Sequence, residues 1–270
     1  MVDDNKVRDV VEAVKGVFDA VPVYEDAIQP AARQVGRALE TLGKVVNVAL
    51  APVTALVWGY EQIESFVQSR VAEKLRNVPP ERIRTPNLLV AGPTLEALRF
   101  AGHEESLRDL YANLLATSLD AATARDAHPS FVAIIRDMSP DEARIMRLFS
   151  PGVVLPLLDL LATQKGGTEF QIVARNFSKI GREADCKYPE LTPSYLDNLC
   201  RLGLLDIPTG VFIEPGDQYQ MLENDPELKA AKRSISNTPG FTVRFTKKLV
   251  ELTNFGKQFC AACVQEHLSS

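Results

Sequence analysis

Apolar positions in the first 75 residues recur at helical spacing. Val7, Val10, Val11, Val14, Val17, Phe18 and Val21 form one stripe, and Pro22 closes it. Pro30 suits the first turn of a second helix, whose stripe continues through Val35, Leu39, Leu42 and Val46. Residues 45–60 carry no charge and end on the only tryptophan, Trp58, and on Tyr60; Pro52 interrupts them. Val53, Leu56, Tyr60, Ile63, Val67, Val71 and Leu75 predict one long amphipathic helix that stops at Asn77-Val78-Pro79-Pro80. A short helix is expected over 93–98, broken by Gly102. The strongest helical pattern covers 104–120, with Leu107, Leu110, Tyr111, Leu114, Leu115, Ser118 and Leu119 on one face. Another helix starts near His128-Pro129-Ser130. Ser139-Pro140-Asp141-Glu142 reads as a capping box that opens a helix running to about Phe149.

The pattern changes at Ser150-Pro151-Gly152. The apolar runs 153–161 and 170–173 are too short for periodicity to decide between helix and strand. A helix over 176–184 and another opened by Thr192 as N-cap and Pro193 form a helix pair. Tyr195, Leu196, Leu199 and Leu202 line one side of the second helix, leaving Ser194, Asp197, Asn198 and Arg201 outward; Gly203 suits its left-handed C-cap. A strand leaves at Leu204-Leu205. A returning strand alternates Phe241, Val243 and Phe245 with Thr242, Arg244 and Thr246. After Lys247-Lys248 its apolar parity shifts to Val250 and Leu252, which means a bulge or passage from one sheet face to the other.

This order of elements predicts a mainly α chain: a helical N-terminal module followed by an α+β, winged-helix-like C-terminal domain. The expected regions are 1–80 (amphipathic helices), 81–150 (a helical domain) and 151–270 (the winged-helix-like domain, with a long insert at 208–240).

Composition narrows the chemistry. Of 270 residues 46% are hydrophobic, ample for a core, and the formal net charge of −5 opposes unspecific binding to nucleic acid. The acidic opening Met1-Val2-Asp3-Asp4-Asn5 is no secretory signal, so a cytoplasmic protein is expected. Cys260 and Cys263 form a CxxC with His267 nearby, but Cys186 and Cys200 lack knuckle spacing, so buried core thiols are expected rather than a metal site. His103 and His128 stand beside no nucleophile motif, and no phosphate-cradling glycine loop is present. We therefore expect no catalytic residue, no cofactor and no enzyme activity.

Binding is the remaining class of function. Ser194, Asn198 and Arg201, with a basic wing of Lys232, Arg233, Arg244, Lys247 and Lys248, are the candidates for contact with a partner or with nucleic acid. From residue 190 to the end, 8 Lys and Arg face 10 Asp and Glu, which favours a protein over DNA or RNA. The segment 45–60 is shorter than the roughly 20 residues that span a bilayer. Core packing is the expected reading, with membrane contact through Val53, Leu56, Val57, Trp58 and Tyr60 as the rival. A valine-rich N-terminal face also suits a homo-oligomer.

Several segments, taken together, suggest a family. These are 110–116 (LYANLLA), 128–132 (HPSFV), 138–143 (MSPDEA), 199–204 (LCRLGL) and 252–259 (LTNFGKQF). In this order and spacing the chain resembles the Abi-alpha family, named for abortive infection, from about Gly59 to Val264. The resemblance implies a bacterial or prophage-borne antiphage protein and carries no catalytic residues with it. It leads to an expected partner of phage or host origin. A membrane-perturbing toxin and a nucleic-acid-binding regulator are the alternatives.

Overall fold

The computed structural model describes residues 58–214 and 217–265. The helices expected over the first 57 residues, with Val53, Leu56 and Val57, lie outside that range.

Helix α1 (Tyr60–Phe66) passes through a π-helical turn, Val67–Val71, into α2 (Ala72–Leu75). Helix α3 (Leu88–Ala101) starts earlier than its pattern predicts. Asn87 accepts from the Leu89 N–H at 3.0 Å and caps it, and the helix continues through Pro93 in its second turn. Buried Val90 and Ala91 supply the added turn with a reason to fold against the core.

Helix α4 (Glu105–Leu119) is the centre of the molecule. Ser106, Leu107 and every residue from Leu110 to Leu119 are buried, so the one-sided stripe of the sequence becomes burial nearly all round. Around it pack α3, both α5 (Ser130–Arg136) and α6 (Pro140–Met146), and the π turn at Val67–Val71. The box that opens α6 forms as expected: Ser139 Oγ accepts from Glu142 N–H at 3.2 Å, and Glu142 Oε2 accepts from Ser139 N–H at 2.6 Å.

Both undecided apolar runs are strands, β1 (Val154–Gln164) and β2 (Phe170–Phe177). There follow α7 (Ile180–Glu183), α8 (Thr192–Arg201), β3 (Leu205–Asp206), α9 (Asp217–Glu223), α10 (Pro226–Ser236), β4 (Phe241–Leu252) and α11 (Asn254–Phe259). A second π-helical turn, Cys260–Val264, closes the described chain against α4. Thr192 begins α8 without capping it: its hydroxyl donates to the Pro189 carbonyl at 2.6 Å. Gly203 does adopt the left-handed conformation at φ 74°.

The sheet corrects the expected fold class. Its four strands run β2-β1-β4-β3, all antiparallel, and curl. A winged helix would place a small sheet and a short wing beside its second helix. Here the dominant ladder is β1 with β4, unbroken from Val154↔Glu251 to Gln164↔Phe241, whereas β3 pairs only through Leu205 and Asp206. Within the 208–240 insert, α9 and α10 fold back onto the sheet. The chain is thus helices plus a four-stranded antiparallel sheet, neither all-helical nor plainly winged-helix. Local pattern showed the neighbours of α8 but held no signal for pairing between strands so distant in sequence.

Continuous β1–β4 register also resolves the parity shift in β4, which contains no bulge. Val243 and Phe245, with Leu158, Leu160 and Ala162, pack on Tyr219, Leu222, Leu228 and Ile235 of α9 and α10. Val250 and Leu252, with Leu157, belong to the opposite face and join the helical core. The sheet is covered on one face at one end and on the other face at the other end.

One buried carboxylate joins the helices to the second half of the chain. Asp141 Oδ1 accepts from Lys187 N–H at 2.9 Å and from Arg144 Nη1 at 2.6 Å, and Oδ2 accepts from Tyr188 N–H and Tyr195 Oη, each at 3.0 Å. Burial pushes the Asp141 carboxyl up, but these donors outweigh it and hold the group below its ordinary value. The ionised form is therefore favoured by folding. Its stabilisation is complete above the unfolded carboxyl range and is lost as pH falls through the lowered folded value. Asp141→Asn is expected to reduce unfolding stability at pH 7 by about 3 kcal/mol. In urea melts the gap to wild type should narrow as pH falls below the unfolded carboxyl value of about 3.9.

Candidate interaction surface

Helix α8 places its predicted residues unequally. Ser194 and Arg201 are exposed, as is Asp197. Asn198 is occupied: its Nδ2 donates to Glu142 Oε1 at 2.8 Å and to the Asp137 carbonyl at 3.2 Å, while its Oδ1 accepts from Arg201 Nε at 2.9 Å. Asn198 therefore ties α8 to the start of α6, and its amide holds the Arg201 guanidinium.

The five cations of the expected wing do not converge. Lys248 reaches into the sheet, its Nζ 3.3 Å from both Asp159 carboxylate oxygens and in contact with Asn176 Oδ1. Asn176 sits at φ 51° in β2 and donates its N–H to Asp159 Oδ1 at 2.8 Å. Lys248 is thus part of a satisfied polar knot. Lys247 lies on the face covered by α9, its Nζ 5.3 Å from the Tyr219 ring centroid. Lys232, on α10, lies 5.9 Å from the Phe245 ring on that same side. Arg233 is exposed on α10. Arg244 stands on the opposite sheet face, which Lys248 shares, but toward the end away from the helical core, its guanidinium carbon 5.4 Å from the Phe170 ring centroid.

That half-face, toward the far ends of β1, β2 and β4, is the surface the sequence did not reveal. Strand register puts Phe170 and Thr242 beside Thr163, and Ile172 and Arg244 beside Leu161. Phe170 is 53% exposed, while Leu161 beneath is buried. The available signal was the alternation of 170–177, legible only once the run is known to be a strand with an open side. Strand β2 lies at the sheet edge, yet its pairing shifts between Leu158 and Leu160 and again between Leu160 and Leu161. Such irregularities twist an edge away from pairing with another strand.

Trp58 is half-buried, 5.6 Å edge-on to Phe66 and packed against Gly102, where a side chain would collide with its ring. Tyr60 begins α1. No helix among the described residues is long and apolar enough to cross a membrane. Cys260 and Cys263 are buried, and burial pushes the Cys260 thiol up to about 12 and Cys263 well above its ordinary value. Burial likewise raises Cys186 and Cys200 to about 11, so the thiolate, the nucleophile and metal ligand, is disfavoured at all four. His128 Nδ1 accepts from Ser130 N–H at 3.1 Å and serves the start of α5.

The chain belongs to the abortive infection alpha family, whose model matches residues 59–263. A solved structure of an uncharacterized protein from the hydrocarbon-degrading marine bacterium Alcanivorax borkumensis SK2 is 22% identical, with a TM-score of 0.33, over 52% of this chain and 92% of that one. No curated protein matches the sequence.

The division between structural and free cations is directly measurable. Lys248→Met leaves Asp159 partly buried without its counter-charge and is expected to cost about 2 kcal/mol in chemical denaturation. Arg233→Ala should remain within about 0.5 kcal/mol of wild type in the same experiment.

Proposed function

We propose that this member of the abortive infection alpha family works by docking a protein partner, of phage or host origin, on the half of its sheet that the other described residues leave uncovered. The observation that carries the reading is the exposed Phe170 with Arg244 stacked against it. Aromatic and arginine side chains on a rigid support are the residues that dominate binding energy at protein interfaces. The irregular β2 edge favours recognition through side chains over strand addition. A matching partner surface presents an apolar residue for Phe170 and a carboxylate for Arg244. The role is one of binding, and the cytoplasm is the expected compartment.

Nucleic acid is the less favoured partner because the wing cations face different ways and the chain is net negative. The test uses Phe170→Ser and Arg244→Glu in the full chain. Both should melt within about 1–2 °C of wild type, because neither residue belongs to the buried core. Both should lose the phage protein that wild type retains from infected cells, together with any protection against plaque formation. Retention and protection unchanged in both variants would remove this surface from the function. Binding of an oligonucleotide with a steep salt dependence would replace the protein partner by nucleic acid.

A further inference from the structure

A second site lies far from the open sheet face. A cavity of about 420 Å³ opens between α2, α4, the segment after α6 and the C-terminal π turn. This is within the size range of small-molecule sites, about 300–1,000 Å³. Leu110, Phe149 and Val264 supply apolar wall. Lys74 stands at the cavity and makes no hydrogen bond or ion pair among the described residues. Arg147 stands there too, holding Asp109 through a single Nη2···Oδ2 contact of 3.3 Å.

The wall also includes Asn113, 5% exposed. Its Nδ2 donates to the Cys263 carbonyl at 2.8 Å, which fixes the orientation of the amide. Its Oδ1 is buried with no partner among the described residues. A buried acceptor left without a donor costs about 1–3 kcal/mol, and such orphans call for an explanation. The π turn that Asn113 holds, Cys260–Val264, is of a kind frequent at functional sites.

We propose that this cavity binds a small organic anion that also carries an N–H or O–H donor. Its carboxylate or phosphate sits between Lys74 and Arg147, its donor satisfies Asn113 Oδ1, and its apolar body lies against Leu110, Phe149 and Val264. Lys74 and Arg147 outweigh Asp109 by one positive charge, which selects an anion. Nδ2 is already engaged by Cys263, so Asn113 can only accept, which selects a donor. A ligand held this way touches four separate segments and strengthens the seating of the C-terminal turn on α4.

Thermal unfolding of the full chain tests this with adenosine monophosphate, glucose 6-phosphate and 4-hydroxybenzoate. Sulfate at equal ionic strength (an anion without a donor) and adenosine (a donor without charge) serve as controls. At least one of the three anions is expected to raise the midpoint at millimolar concentration where both controls do not. Stabilisation by the phosphates alone identifies a phosphate ligand, and by 4-hydroxybenzoate alone a carboxylate. Lys74→Met, which spares the core, should weaken that binding about tenfold or more. Arg147→Gln should weaken it also. No shift from any of the three, or a shift undiminished in Lys74→Met, overturns the assignment.

Discussion

Burying helix α4 on almost every side is the constraint from which the rest of the architecture follows. A helix with polar Ser106, Asn113, Thr117 and Ser118 among its buried residues cannot be covered by hydrocarbon alone. Ser118 turns back to the Leu115 carbonyl at 2.7 Å. Thr117 and Asn113 instead reach the Ala262 and Cys263 carbonyls, at 2.9 and 2.8 Å. Those carbonyls are available because they lie in the last turn before the extended Gln265, where C=O groups have no partner within the helix. The C-terminus is thereby stitched to a helix about 150 residues earlier, and the sheet between them is carried into contact with the helical core.

The sheet meets that core with only half of one face. Leu157, Val250 and Leu252 join the helices, while Leu158, Leu160 and Phe245 look the other way and need α9 and α10. The 208–240 insert is therefore part of the fold: without it an apolar half-face would be open to water. The converse half-face, around Arg244 and Phe170, has no such cover among the described residues. Asp141 holds the two halves of the chain in register, because its four donors come from α6 itself, the turn after α7, and α8.

Much of this was legible locally. The capping box at Ser139, the left-handed Gly203 and the Thr253 cap, whose Oγ1 accepts from Gly256 N–H at 2.8 Å, are contacts across a few residues. The parity shift in β4 was legible too, though both of its readings were open, and the register selects the change of face. Pairing of β1 with β4 was not legible, because about ninety residues separate Leu158 from Lys247 and nothing in either strand names the other. The winged-helix expectation followed from that gap, since it assigned β4 to the nearest strand. Local sequence places Asp141 in the first turn of its helix, where an acid is favourable, but holds no signal for its bonds to Lys187, Tyr188 and Tyr195.

The fate of the expected basic wing shows how geometry limits a charge count. Successive side chains of a strand point to opposite faces, so Arg244 and Lys248 share one face and Lys247 takes the other. Three cations within five residues therefore divide before any partner approaches. Lys248 is then claimed by Asp159 and Asn176, and Lys247 lies against Tyr219. What remains on the open face is one arginine supported by an aromatic ring. Such a pair discriminates poorly as a phosphate clamp, which gains affinity from the number of cations it brings together. It is well matched to a compact protein contact, where a single desolvated arginine beside an exposed aromatic side chain can supply most of the binding energy.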